Sequence, residues 1–269
     1  MLKNISLLLL LSYSFAFSQI KNGVVQYGIK TLYDPDEETL DVVKSELDKT
    51  TKATVLYTFN LNFTPKESYF YVNPSMAVDG QTIEDFCSLV MVKSKFYVAP
   101  TKSQYRHDGL LYGNEYVMNY EQKSDWELTN ETKIINGYTC FKATSIKHDS
   151  NGWDDNPKFT ITAWYTPKIP VAYGPNGYHG LPGLILELQT YTTTLYVKKI
   201  DLNLDKDPAI DRLEQGKVIT QEEVTEIIFN KTPQEFRGMV ENEIKARKIK
   251  SAEIEKRIAA KKTAKTTTN

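Results

Sequence analysis

The chain predicts a mainly β protein, a curved antiparallel sheet or half-open β-barrel with C-terminal α-helices. Three observations carry this. Residues 54–64 place Val55, Tyr57, Phe59, Leu61 and Phe63 on one face and Thr54, Thr58, Asn60, Asn62 and Thr64 on the other, with Leu56 the exception. Side chains of a strand point to alternate faces, so this reads as one long half-buried strand. Seventeen Tyr and eleven Phe suit pleated surfaces. Many such runs follow one another without an intervening helical pattern, which favours antiparallel neighbours.

The elements follow in order. The opening MLKNISLLLLLSYSFAFSQI reads as a signal peptide over 1–18. Lys3 gives it a positive start, and Ile5 to Phe17 is an apolar core too short to span a bilayer comfortably. Ala16-Phe17-Ser18 sets small residues where a signal peptidase reads, so cleavage is expected before Gln19, with an uncleaved anchor as the alternative. A β domain is expected over 19–215. Pro65 ends the 54–64 strand and ESYFYV begins the next. The runs KFYVAP, GLLYGNEYVMNY, DWELTNETKII, YTCFKATSIK, KFTITAWYT and LILELQTYTTTLYVKKI follow, punctuated by Asp79-Gly80, Asn136-Gly137 and Asn151-Gly152. Residues 216–262 are expected to be helical. Thr220-Gln-Glu-Glu223 and Thr232-Pro-Gln-Glu235 match a capping box, the second with Pro at the first helical position. Phe236, Val240 and Ile244 then recur every four residues and should dock on the sheet. Residues 263–269 are expected to be a disordered tail.

Composition narrows the class. With 41% hydrophobic and 25% charged residues the chain can bury a substantial core. A formal net charge of -1 argues against nucleic acid as a partner. From Lys245 onward nine Lys/Arg stand against Glu253 and Glu255, a local charge of +7 that leaves -8 elsewhere. That end either touches an anionic membrane surface or is a solvated helix end, and the second is the simpler reading. Cys87 and Cys140 are the two cysteines. A bridge between them would close a loop of about 50 residues, worth on the order of 4 kcal/mol. Two buried thiols are the equal alternative, because spacing does not show whether the Cβ atoms meet.

The stretch GPNGYHGLPGLILEL, 174–188, holds four glycines and two prolines in its first ten residues. Gly174-Pro175-Asn176-Gly177 suits a type I turn, and Leu181-Pro182-Gly183-Leu184 a type II turn with Gly183 at positive φ. Leu184, Leu186 and Leu188 then face one way, and Ile185, Glu187 and Gln189 the other. A corner feeding a core strand therefore outranks a phosphate-cradling loop, which would need a following helix. GLPGLILEL resembles the signature of the GLPGLI family, exported proteins of Gram-negative bacteria. Trp126, ETKIINGYTCFKAT at 131–144, AWYTPKIP at 163–170 and Gly174-Pro175 follow the family order. The resemblance is strong over roughly 126–190 and rests, within the loop, on Gly174, Pro175, Gly180, Leu181, Pro182, Gly183, Leu184 and Ile185. It implies export, a β-rich body, and work in the periplasm or at the outer membrane, with a TonB-dependent outer-membrane receptor as the suggested partner.

No catalytic constellation emerges. His107, His148 and His179 have no metal-ligand spacing, and CxxC, HExxH and GxSxG are absent. No metal, cofactor or catalytic residue is therefore assigned. Asp201 to Asp207 carries oxygens at alternate positions, but Lys206 and Arg212 stand where a calcium loop needs Gly and Glu. Trp153-Asp154-Asp155 is a similar acidic turn. Trp164, Tyr165, Tyr173, Tyr178 and His179, with Tyr191, either line a cleft for a sugar, peptide or lipid or pack core and turns. Packing is the favoured reading. The expected function is an exported binding or accessory protein of the envelope that carries an apolar ligand, such as a lipid, or docks on an outer-membrane receptor, with no transmembrane span in the mature chain. The alternatives are a periplasmic hydrolase using Asp85, Asp154 or Asp155 and a structural protein docking through 233–269.

Overall fold

The computed structural model describes residues 20–32, 51–73 except 53, 55 and 56, 92, 94–111, 114–119, 125–148, 158–191, 193–220 and scattered positions between 222 and 252. They form β1 (Gly23–Thr31), β2 (Phe59–Phe63), β3 (Ser68–Val72), β4 (Lys95–Ala99), β5 (Gln104–Leu111) and β6 (Asn114–Asn119). Then come β7 (Glu127–Ile135), β8 (Tyr138–His148), β9 (Lys158–Thr166), β10 (Leu184–Gln189), β11 (Thr193–Leu202) and β12 (Lys217–Ile219). All twelve lie in one open sheet, ordered β12-β6-β5-β4-β3-β2-β1-β11-β10-β9-β8-β7. Neighbours run antiparallel except β12, which lies parallel to β6.

The sheet curls. Nine inter-strand steps separate β5 from β7. At about 4.8 Å each, a flat sheet would hold them roughly 40 Å apart. Yet His179 touches both sides: its ring stacks on Tyr105 of β5 at 4.9 Å, and its carbonyl accepts a hydrogen bond at 2.9 Å from the indole of Trp126, just before β7. The concave face carries the main core. Val25, Tyr27 and Ile29 of β1, Phe59, Leu61 and Phe63 of β2, Phe70 of β3 and Phe96 of β4 all bury there with Ala143 of β8 and Ile161 of β9. Each fully buried side chain of this kind contributes about 1.5–3 kcal/mol. Tyr27 also donates its hydroxyl to the carbonyl of Ile185 at 2.6 Å, which satisfies a group that burial would otherwise leave costly.

Several expectations are corrected. Among the described residues of the 54–64 run only Phe59–Phe63 is strand, while Thr51, Lys52 and Thr54 are helical. Thr54 donates its hydroxyl to the Thr51 carbonyl at 2.7 Å, a local bond that offers the backbone an alternative to the ladder. Val55 and Leu56 lie outside the described residues. The run GLLYGNEYVMNY divides between β5 and β6, and LILELQTYTTTLYVKKI between β10 and β11. The segment expected to turn helical at 216 opens instead with β12. The capping box does form: Thr220 N–H donates to Glu223 Oε2 at 2.7 Å and Glu223 N–H to Thr220 Oγ1 at 3.2 Å. Among the described residues no helix reaches seven residues, so the C-terminal helices find no support there, and most of 221–269 lies outside them. No helix among the described residues is long and apolar enough to cross a membrane. The signal peptide, Asp79-Gly80, Asn151-Gly152, Asp85, Cys87, Asp154 and Asp155 also lie outside the described residues.

A strap over 203–216 covers the convex face at the β3–β6 end. Leu213 and Ile210 close a second core with Tyr69, Tyr97, Ala99 and Val117. The Asp201–Asp207 loop is pinned by Asn22, whose amide donates to Asp207 Oδ1 at 2.7 Å and whose Oδ1 accepts from Leu204 N–H at 2.7 Å. Arg212 clamps Glu67 with two bonds, from Nε at 2.9 Å and Nη2 at 2.8 Å, and Tyr97 donates its hydroxyl to Glu67 at 2.8 Å. These charge-assisted bonds, Arg212 foremost, hold the Glu67 carboxyl down to about 2, below its ordinary 4.5. A group with a depressed native pKa stabilises above its unfolded pKa and loses that contribution as pH falls. Glu67→Gln is therefore expected to melt below the wild type at pH 7. The gap should narrow as pH falls from 4.5 towards 2. A gap constant across that window contradicts this assignment.

Candidate functional site

The stretch 167–183 leaves β9, crosses the concave face and returns as β10. Its backbone is bonded along its length. Leu184 N–H donates to the Ile169 carbonyl at 2.9 Å, Ile185 N–H to Tyr173 at 3.0 Å and Gly180 N–H to Ala172 at 3.0 Å. Tyr173 and His179 bridge as antiparallel partners. Residues 171–180 thus form a small hairpin tucked inside the sheet, and Ile169, Tyr173 and Leu181 are buried in the main core.

Both turns differ from expectation. The first lies one residue later: Tyr178 N–H donates to the Pro175 carbonyl at 3.2 Å, with Asn176 at φ 53° and Gly177 at φ 76°. Positive φ at both central residues marks a type I′ turn, the one that Asn-Gly favours between antiparallel strands. The second is tighter than type II. Gly183 N–H donates to the Leu181 carbonyl at 2.8 Å around Pro182, whose ring presets φ for such a three-residue turn. Gly183 is not at positive φ. Glycine is needed there for space, because a Cβ would lie on the Thr166 carbonyl, 2.5 Å from its carbon, and 2.8 Å from Pro167 N.

The aromatic candidates do not converge on one site. Trp164 lies opposite Tyr165 on β9, with the Lys133 ammonium 4.3 Å from its ring centroid and Lys133 paired to Glu187 at 2.7 Å. Tyr165 points inward to Phe141, ring centroids 6.2 Å apart, and Tyr173 packs 6.4 Å from Phe63. Tyr178 packs 6.1 Å from Trp126. Tyr191 is exposed. Cys140 is a free, buried thiol that burial pushes up to about 11.

What the fold does assemble is the rim where the hairpin meets the start of β7. Asp125, Trp126, Glu127 and Leu128 face Gly180, Leu181 and Pro182 across an open cleft of about 660 Å³. Behind it, burial first and the charge of Lys147 second hold His179 below its ordinary pKa, so its imidazole is neutral near pH 7. Its Nε2 is buried without a hydrogen-bond partner among the described residues. Burial also lowers Lys147, against the opposing pull of Asp125. Among the described residues no group of three or more His, Cys, Asp or Glu could hold a metal. Trp126 was legible in the sequence as part of the motif series. Tyr105, Phe96 and Lys147 were not, because they meet the hairpin only through the curl of the sheet. Trp126→Phe keeps the ring and removes the indole donor to His179, so it is expected to cost about 1 kcal/mol, read by denaturant unfolding. An unchanged midpoint contradicts a structural role for that bond.

Three comparisons bear on the chain. A family described as protein of unknown function (Porph_ging) matches residues 151–187. No curated protein matches. Two solved structures of PNGF-II, in space groups P21 and C2, align at 12% and 13% identity over 77% and 83% of this chain, each with a TM-score of 0.45. The chain spans about a third of their length, 32% and 33%. Over the residues that hold β9 and the GLPG hairpin, the chain is thus similar to the Porph_ging family.

Proposed function

We propose that this protein is an exported binding or accessory protein of the cell envelope that works by docking on another protein, an outer-membrane receptor being the partner the family resemblance suggests. The observation that carries this reading is the filled concavity. Tyr173, Leu181 and Ile169 occupy the face where an apolar ligand would lie. Docking on the outside then fits better than carriage inside. Exposed apolar side chains support it on the β7–β8 flank, where Leu128, Ile134 and Ile146 are 55%, 67% and 62% exposed. Single exposed apolar residues are ordinary, but Leu128 and Ile134, paired with Ala143 and Thr139, share one face and suit a contact surface, whereas Ile146 points to the other. Affinity purification of the mature protein from its native envelope, with mass spectrometry of proteins and extractable small molecules, tests the reading. A stoichiometric outer-membrane protein supports it. A bound lipid or metabolite without a protein partner overturns it.

A further inference from the structure

We infer that the cleft between the start of β7 and the GLPG turn binds an extended polypeptide segment in which an apolar side chain stands beside a Lys or Arg. The inference deepens the docking reading and rests on it. Three features of the cleft select this occupant. First, β7 is the last strand of the sheet, bonded only to β8 among the described residues, so its outer edge presents backbone groups with no strand partner among them, which an added strand would satisfy. Second, the register limits where a strand can add. Glu127 and Leu128 pair with Thr144 and Ala143, then the ladder shifts before Thr132 meets Phe141. The irregular stretch 129–131 interrupts the edge as bulges do, which confines regular addition to a short segment beside the cleft. Third, the lining sorts by chemistry. Leu181, Pro182, Leu128 and the Trp126 ring form an apolar floor, and Asp125 and Glu127 flank it. Lys147 acts on Asp125, whereas Glu127 has no ion-pair partner among the described residues. A cationic side chain next to an apolar one meets both demands, and an acidic segment meets repulsion.

Two acetylated, amidated peptides test this with the whole mature protein: one alternating Lys with Val and Leu, the other identical but with Glu for Lys. Calorimetry should show the Lys peptide binding at least about tenfold more tightly than the Glu peptide at low salt. Glu127→Lys should invert that preference without changing the melting temperature by more than a few degrees, since Glu127 is exposed. Replacing the central residue of the Lys peptide by Pro should abolish binding, because a strand cannot add without its donor. No binding of either peptide up to about 1 mM, or a preference that survives Glu127→Lys, overturns the inference. A receptor that co-purifies equally with wild type and Glu127→Lys would also overturn it while leaving the docking reading intact.

Discussion

Gly183→Ala is expected to lower the melting temperature by about 6–12 °C, the shift that about 3 kcal/mol produces in a chain of this size. The single added carbon would fall on the backbone of Thr166 and Pro167, where no side-chain rotation makes room. Thr166 is itself fixed: it ends β9, its residue is fully buried, and its hydroxyl donates to the Thr139 carbonyl at 3.0 Å. Relief therefore requires the last turn of the loop to move off β9, and Ile185 and Leu184 to lose their bonds to Tyr173 and Ile169. Larger residues at the position should do no better than Ala. A melting temperature within about 2 °C of wild type would show that the turn has slack this packing denies.

Gly177→Val should cost about 3–4 kcal/mol, by a different route. Gly177 sits at φ 76°, which costs an L-residue about 1–2 kcal/mol and a β-branched one more. Its Cβ would also enter the ring of Phe96. Overpacking of that kind typically adds about 1–3 kcal/mol. Unlike the case of Thr166, the obstacle is a side chain. Gly177→Ala should accordingly be less costly in a Phe96→Ala background than in the wild type, by about 1 kcal/mol or more in a double-mutant cycle. Additive effects would mean that the hairpin tip does not reach β4.

The sequence made the strands legible where the pattern is local. The alternation of Phe59, Leu61 and Phe63 against Asn60 and Asn62 is the observed division of β2. The Asn136-Gly137 turn joins β7 to β8 as expected, with Asn136 at φ 51° and Gly137 at φ 81°. What the pattern could not show is the path of 167–183. The alternation expected of LILEL is broken there, since Leu184, Ile185, Leu186 and Leu188 are all fully buried and a bulge between Ile185 and Glu187 shifts the period, and the partners Phe96 and Tyr105 are more than 70 residues away in the chain. The turn types differ from expectation for a related reason. Pro175 and Gly177 fit a type I turn starting at Gly174, but the antiparallel pairing of Tyr173 with His179 demands the opposite twist, which Asn176-Gly177 supplies. The sequence suggests a conformational role for Gly183, whereas the structure needs glycine there for space. The strap at 203–216 left no periodic signal either, since Leu213 and Ile210 act singly against the second core.

The motif that marks the family resemblance is an internal brace, so its residues explain the shape of the protein before they explain an activity. The rim that the brace creates, where Gly180, Leu181 and Pro182 face β7, is an open cleft.

Native-state hydrogen exchange of the hairpin amides tests the brace most directly. Gly180 N–H and Ile185 N–H, bonded to Ala172 and Tyr173, should exchange as slowly as Tyr27 and Leu61 in the central strands, through global unfolding. Exchange of Gly180 and Ile185 at the rate of solvent-exposed turns such as Asn136-Gly137, with the central strands protected, would contradict it and return 167–183 to the status of a loose loop.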